Sequence, residues 1–559
     1  KWSHCSIDDY SSILQQPLFL CETQKSLYIS RFYDIIGVSN TRDVMLMMTR
    51  EEDRKREQIQ YFCMDDLVPQ DHMLRLIEKA IDWSFIYDLV QDKYSQDMGR
   101  PSMDPVTLIK IPLIQYLYGI RSMRQTVKEI EVNVAYRWFL GLDIREKVPH
   151  FSTFSKNYTR RFKDTDLFEQ IFSHILEECY KYQLVDPSVI FLDATHVKAR
   201  ANGKKLRKRI AQQEAKFYED ALRREVDKDR EAHGKKALKE KTNDNDHDDP
   251  SRGGGSTADQ QSMEKESDTE ERTIKESTTD PESGWFHKGE HKQVFAYSVE
   301  TACDTHGWIL AYSVHPGNEH DSRTFPSIYE KIRKKAEMLV MDAGYRTPAI
   351  AKMVIEDGIT PLFGYVRPKT KKGYIKKSEY VYDEYYDVYL CPGGQELKYS
   401  TTNRNGYREY KSNGNQCKWC PRRSQCTQSK NHVKVITRHV WEDYMEQCED
   451  IRHTLGNKAI YAHRKETIER IFGTAKENHA FRYTQMYGKA RMQMKAGLTY
   501  AAMNLKKLAK ILWYRKGITP GPSKTATNIF EYLEHTAKCL WEMHFPKAFC
   551  QRSEMLSHL

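Results

Sequence analysis

Val189-Ile190-Phe191-Leu192-Asp193-Ala194 and Met338-Leu339-Val340-Met341-Asp342-Ala343 are two short apolar runs, each closed by an aspartate and then a small residue. Runs of this length and composition read as buried strands, and an acid directly after one sits at a strand-to-loop junction, where α/β proteins hold ligands. A third acid, Glu469, lies in Glu466-Thr467-Ile468-Glu469-Arg470-Ile471-Phe472, on an expected helix. Carboxylates fixed in this way supply the hard oxygen donors that two divalent cations need for phosphodiester chemistry on nucleic acid. With 78 Asp and Glu in 559 residues, each acid taken alone reads equally well as a turn or helix-capping residue.

Working outward, residues 294–301 and 308–314 around Gly307 predict a β-hairpin, and 348–355 a helix ending before Gly358, with 359–366 returning as a strand. Hairpin strands followed by alternating strands and helices predict an α/β class fold, a mixed sheet flanked by helices. Ahead of it, 64–180 reads as helical. Asp104 caps a helix with Pro105 at its first position, Leu108, Ile111, Leu113, Ile114, Tyr116 and Leu117 follow at helical spacing, and Gly119 ends it. Residues 122–130 and 133–140 read as further short helices, the latter stopped by Gly141. A basic helix over 152–162 follows, with Ser152 as its cap. This series suits a helix-turn-helix-like module, with Lys156, Arg160 and Arg161 meeting phosphates; it equally suits a helical bundle with a solvated charged face.

Two segments interrupt the sheet pattern. Residues 211–241 are charged and helix-prone, as in a solvated helix, and 242–283 hold 13 acids against 4 bases with Gly253-Gly254-Gly255, a composition that predicts disorder. The second interruption carries Cys391, Cys417, Cys420 and Cys426, four thiols within 36 positions. Cys417-Lys418-Trp419-Cys420 is a knuckle that sets two thiolates on one tetrahedral ion, so the four are candidate ligands of a structural zinc; the other readings are free buried thiols or a redox pair. Farther on, 462–476 reads as one helix on which Glu469 and Lys476, seven apart, share a face. Lys465 and Arg482 lie on either side of that pair, in basic and aromatic surroundings suited to nucleic acid.

The formal charge of +10 fits a polyanionic partner without requiring one. No apolar stretch reaches the roughly 20 residues of a membrane span, and the scattered remaining cysteines oppose a secreted disulfide framework. With no leader pattern after Lys1, a cytoplasmic location is expected. The first plausible start is at Met45 to Met48, so residues 1–47 read as an extension of unknown role.

Four segments taken together resemble the DDE transposases of bacterial insertion sequences, specifically group eleven-eighty-two with an InsH-like N-terminal domain. They are Phe191-Leu192-Asp193-Ala194-Thr195-His196-Val197-Lys198, Asn318-Glu319-His320-Asp321-Ser322, Asp342-Ala343-Gly344-Tyr345, and Lys465 through Lys476 with the stretch from His479 to Tyr483. The resemblance spans about 48–512. It implies an RNase H-like catalytic domain in which Asp193, Asp342 and Glu469 bind two Mg²⁺ ions, or Mn²⁺. It also implies cleavage at element ends and strand transfer into target DNA, with double-stranded DNA as partner, a homodimer that pairs two ends, and a bacterial, nucleoid-associated location. The family places an Arg four residues before the glutamate, where this chain has Lys465, and a tyrosine upstream that Tyr461 meets slightly out of register. The organisation expected is 48–180 helical and DNA-binding, 185–515 catalytic with interruptions at 203–283 and 370–440, and 516–559 a tail. The competing readings are an RNase H-fold nuclease that does not join strands, and an inactive transposase-derived DNA-binding protein.

Overall fold

The computed structural model describes residues 61–95, 102–203, 205–211, 217–238, 272–288, 292–368 and 370–515. The expected extension 1–47, most of the acidic linker and the tail 516–559 lie outside them.

Its centre is a mixed sheet. Strand β1 (Val189–Lys198) pairs parallel with β7 (Met338–Met341), which pairs parallel with β8 (Thr360–Phe363). On its other side β1 runs antiparallel to β5 (Lys292–Cys303), whose far edge carries β4 (Gly284–Lys288) and β6 (Ile309–Pro316). Both faces are covered, which is why the first half of β1 is continuously apolar. Ile190, Leu192, Leu339 and Met341 pack under helices Asp321–Ile332 and Pro348–Glu356. Phe191, Val340 and Val299 face the other way, into the largest core.

That core is continuous across the expected division near 180–185. It runs from Leu74 through the helical region and one face of the sheet to Ala509, and the segment from Cys63 onward is one compact unit. The helices appear where their caps predict: Pro105–Leu117 is capped by Asp104 accepting from the Thr107 N–H, Met123–Val132 by Ser122, and Val134–Leu140 by Asn133, with Gly141 left-handed at its end. They do not close a bundle of their own. The 26-residue helix Lys489–Tyr514 lies against them and the sheet, burying Leu498, Tyr500, Leu505 and Leu508. Asn504 in this helix accepts from the Ile309 N–H (3.1 Å) and donates to the Ile309 carbonyl (2.9 Å), seating the helix on β6. Two carbonyls at the end of Pro105–Leu117, left without partners by the helix itself, meet His479 on Tyr116 (2.7 Å) and Lys506 on Leu117 (3.2 Å).

Four expectations change. Ser152 is not a cap: it is the first residue of helix Ser152–Asn157, and the His150 ring accepts from its N–H before the helix widens into a π turn over Tyr158–Phe162. The interruption 203–283 is not wholly loop and linker, because β2 (Leu206–Ala211) pairs antiparallel with β3 (Arg272–Ser277). The charged helix, Glu219–Ala232, is docked rather than solvated. Its buried Asp229 receives hydrogen bonds from Thr402 (2.5 Å) and Arg408 (2.6 Å). Those partners belong to the second interruption, an antiparallel meander of β9 (Val381–Asp383), β10 (Val388–Leu390), β11 (Glu396–Thr402), β12 (Tyr407–Ser412) and β13 (Val435–His439). Finally, the helix expected over 462–476 breaks at Thr467 (φ −105°, ψ −95°), between a 3₁₀ turn His463–Lys465 and helix Ile468–Asn478.

Candidate active site

The register of the parallel pair builds the site. Leu192 lies beside Met341 in the last rung between β1 and β7, so Asp193 and Asp342 are the next residues on neighbouring strands. By the two-residue period of a strand, Asp193 projects to the side of Phe191 and Asp342 to the side of Val340, which is the same side. Here the expectation of a strand end holds for Asp342 only. β1 continues to Lys198 against β5, with Thr195 and Val197 buried in alternation, so Asp193 sits where a strand loses one neighbour and keeps the other.

Both carboxylates are held by local backbone. Asp193 accepts from the Ala194 N–H (2.8 Å), and Asp342 caps the following turn by accepting from Gly344 (2.8 Å). A β-carbon added at Gly344 would lie 3.0 Å from Asp342 Oδ1 and 3.4 Å from Asp321 Oδ2, so glycine leaves room for two carboxylates to approach one point. Asp321, the first residue of helix Asp321–Ile332, is thus a third acid of the site. Burial raises its pKa, and Asp342 pushes the same way. Burial raises Asp193 to about 6, with Arg464 opposing and Asp342 and Asp321 adding to the rise.

Arg464 is a cation joined to this acidic group. Only 5 % exposed, it donates from Nη2 to Asp193 Oδ2 (2.7 Å) and from Nη1 to the Tyr461 hydroxyl (3.0 Å), while its buried Nε has no hydrogen-bond partner. Tyr461 reaches that position because Gly364, just past β8, has no side chain: a β-carbon there would come 2.4 Å from the tyrosine oxygen. Arg464, the neighbour of the Lys465 that stands where the resemblance places an arginine, thus bridges Asp193 and Tyr461; Lys465 itself is exposed. Beneath the site Glu300 is fully buried and accepts from Thr324 (2.6 Å), Ser313 (2.9 Å) and Tyr345 (3.2 Å). Burial lifts its pKa to about 7. It ties the helix that begins at Asp321 to the turn that follows Asp342.

Sequence reasoning missed Asp321, Arg464 and Glu300 as site residues. Glu300 left a trace, an acid amid the apolar alternation of 294–301. Asp321 lies in a segment that carried the resemblance, with no role attached.

Glu469 is exposed, in the first turn of helix Ile468–Asn478, with Lys476 half-buried two turns later on the same helix. Ile468, Ile471, Phe472 and Ala475 are its buried face. The structure brings Asp193, Asp342 and Asp321 together and does not bring Glu469 into contact with them. Among the described residues no three His, Cys, Asp or Glu side chains already form a set that could hold a metal ion. In donor chemistry the site nonetheless suits hard divalent cations: Asp342 and Asp321 approach one point, Asp193 is near enough to feel both, and burial penalises the charge of Asp193 and Asp321 while one guanidinium favours that of Asp193.

The residues expected at DNA are distributed. Lys156 and Arg160 are exposed on the helix after Phe151. Arg161 bonds Asn157 and stacks over Tyr94 at 4.4 Å, and exposed Arg482 pairs with Glu477. Arg121, Arg124 and Lys128, exposed at or just before helix Met123–Val132, were not singled out in the sequence. No helix among the described residues is long and apolar enough to cross a membrane.

Comparison with known families adds two matches. Residues 62–160 match the transposase domain family DUF772, and residues 390–509 match the transposase DDE domain family. No curated protein and no solved structure matches the chain. Two segments of the chain are thus similar to transposase domain families, and a DDE domain of this kind implies an RNase H-like fold, divalent-metal use and DNA as partner.

Proposed function

We propose that this chain cuts DNA at the ends of an insertion sequence and joins the freed ends to target DNA, as a transposase of the eleven-eighty-two type. The observation that carries the reading is the register of β1 and β7, which sets Asp193 beside Asp342 at a half-buried, acid-rich point. Asp193 and Asp342 would hold two Mg²⁺, or Mn²⁺, with Glu469 as the third carboxylate. Arg464, five residues before Glu469, is bonded to Asp193, and the break at Thr467 lies between that anchor and Glu469. When bound, such ions supply Lewis-acid stabilisation of the attacking and leaving oxygens in an in-line displacement at phosphorus.

The protein's own groups orient this chemistry. Arg464 and the Ala194 N–H fix the Asp193 carboxylate, the Gly344 N–H fixes Asp342, and Glu300 holds the two elements behind them. Lys476, on the face of Glu469, meets a phosphate of the strand being cut, with Lys465 and Arg482 flanking it. Lys156, Arg160 and Arg161, in the helix-turn-helix-like region, meet phosphates of the element end. Water first attacks the end phosphodiester and frees a 3′-hydroxyl. That hydroxyl then attacks a target phosphodiester, displacing the target's 3′ oxygen and forming the new bond. Two ends must meet, which calls for a homodimer.

The test uses purified protein, Mg²⁺ and a plasmid bearing the element's inverted repeats. Nicking and joining are expected for the wild type and lost in Asp193→Asn, Asp342→Asn and Glu469→Gln. Retention of activity in Glu469→Gln with loss in Asp321→Asn transfers the third ligand to Asp321. Cutting without joining of a pre-cleaved 3′ end supports the RNase H-fold nuclease, and no cutting at all with intact DNA binding supports the inactive DNA-binding protein.

A further inference from the structure

The meander β9 to β13 has a small core of its own, five buried residues of which three are tyrosines: Tyr380, Tyr389, Leu397, Tyr410 and Ile436. Tyrosines demand partners for their hydroxyls. Two find one in Asp387, which accepts from Tyr382 (2.7 Å) and Tyr410 (2.6 Å), and Tyr380 lies 3.0 Å from the Cys426 sulfur. An apolar core of this size contributes little stability to a segment of roughly 60 residues, and small units of this kind commonly need a cross-link.

All four cysteines of the segment are free and half-buried, and they gather at one end of the meander. Cys391 follows β10 and opens the turn Cys391-Pro392-Gly393-Gly394-Gln395. Its sulfur accepts from two backbone donors, the Gly393 and Gln395 N–H groups, each at 3.3 Å. A β-carbon added at Gly393 would lie 3.6 Å from the Cys391 sulfur and 3.9 Å from the Cys420 sulfur, so these two flank a single point. Cys417 ends the short helix Gly414–Cys417, and the Cys420 N–H returns to its carbonyl (3.2 Å), closing the tight turn of a knuckle. Cys426 ends helix Arg423–Cys426 and belongs with Cys391 to the rim of the small core. Cys417 now donates to Ser412 (3.3 Å) and Cys426 partners Tyr380, so both are turned toward local oxygens.

We infer that Cys391, Cys417, Cys420 and Cys426 form a tetrathiolate site for one structural Zn²⁺ that staples the β10–β11 turn to the loop between β12 and β13. Rotation of Cys417 and Cys426 from Ser412 and Tyr380 toward the point between Cys391 and Cys420 completes four ligands, the number such sites take. The site stands apart from the carboxylates in chemistry: soft thiolates select Zn²⁺ where the acids select Mg²⁺. It does not depend on the proposed reaction.

The test is metal content of the full chain, purified under reducing conditions and measured by plasma mass spectrometry. About one zinc per chain is expected for the wild type and for the control Cys63→Ser, falling at least about ten-fold in Cys417→Ser/Cys420→Ser. Because that variant can misfold, reduced wild type stripped of metal is also titrated with Co²⁺. A thiolate-to-cobalt charge-transfer band with tetrahedral d–d absorption, saturating at one equivalent and abolished by Zn²⁺ but not by excess Mg²⁺, is the expected result. Substoichiometric zinc with no such cobalt spectrum overturns the site, as does a Cys417–Cys420 disulfide in the protein purified without reductant.

Discussion

Replacing Arg464 by Met tests whether the acidic point is held together as described. The substitution keeps the apolar stem in its buried position and removes the charge. Two hydrogen bonds go, one to Asp193 at 2.7 Å and one to Tyr461 at 3.0 Å. Breaking a buried pair by deleting one member costs about 3–5 kcal/mol when the remaining charge stays buried and ionised. Here Asp193 keeps 19 % side-chain exposure and its pKa stands at about 6 even with Arg464 beside it, so protonation relieves much of that cost. The substitution also removes the buried, unpartnered Nε, a gain of about 1 kcal/mol or more. The net loss expected is therefore about 2 kcal/mol. Urea unfolding followed by far-ultraviolet circular dichroism measures it, with a double-mutant cycle against Asp193→Asn. The cycle should return a coupling of at least about 1 kcal/mol, since the two residues share one contact. Arg464→Lys should recover little, because an ammonium does not reach Asp193 and Tyr461 in the forked geometry of a guanidinium. A loss under about 0.5 kcal/mol, the scale of an ordinary surface change, with a coupling near zero would refute the role given to Arg464.

Three further outcomes follow from the geometry. Lys476→Ala should weaken DNA binding and reduce the slope of log affinity against log salt by about 1, read by fluorescence anisotropy across salt concentrations; an unchanged slope removes Lys476 from the phosphate contacts. Lys495 is buried with the carbonyls of Ala480 (2.9 Å) and Tyr483 (2.6 Å) as hydrogen-bond partners, and burial lowers its pKa from 10.5 to about 7. The unfolded chain thus binds the extra proton between pH 7 and 10.5, stability rises with pH across that window, and below pH 7 the contribution is gone. Wild type should gain about 2–3 kcal/mol relative to Lys495→Met between pH 7 and 9, at about 1.4 kcal/mol per pH unit; parallel pH dependences would show that Lys495 titrates normally. Asn504→Leu should cost about 2–4 kcal/mol in thermal or urea unfolding, because it strands the buried N–H and carbonyl of Ile309 together; a loss under 1 kcal/mol would mean water or a shifted helix replaces them.

Local pattern made the strands legible, and with them the neighbouring aspartates. What it could not supply was the part fixed by distant partners. β1 outlasts its apolar run because β5 stays beside it, so the buried Thr195 and Val197 follow Asp193 in alternation rather than as a block. The charged helix Glu219–Ala232 looked solvated because its partner, Arg408 on β12, lies about 180 residues away. The break at Thr467 was hidden in a good helical pattern, and it separates the turn carrying Arg464 from the helix carrying Glu469. Arg464 itself was one of several bases in a row, and only its contact with Asp193 distinguishes it from Lys465.

The helix Lys489–Tyr514 has a consequence for how the protein is made. The helices ending at Lys181 leave the ribosome some 300 residues before the element that covers them. At about 5–20 residues per second, that is roughly 15–60 s during which Leu74, Ile77, Ile114 and Ile175 lack their final neighbours. A message cut short before residue 489 thus yields a chain that holds both aspartates yet exposes the apolar faces of its first third, a substrate for chaperones and proteases rather than a smaller enzyme.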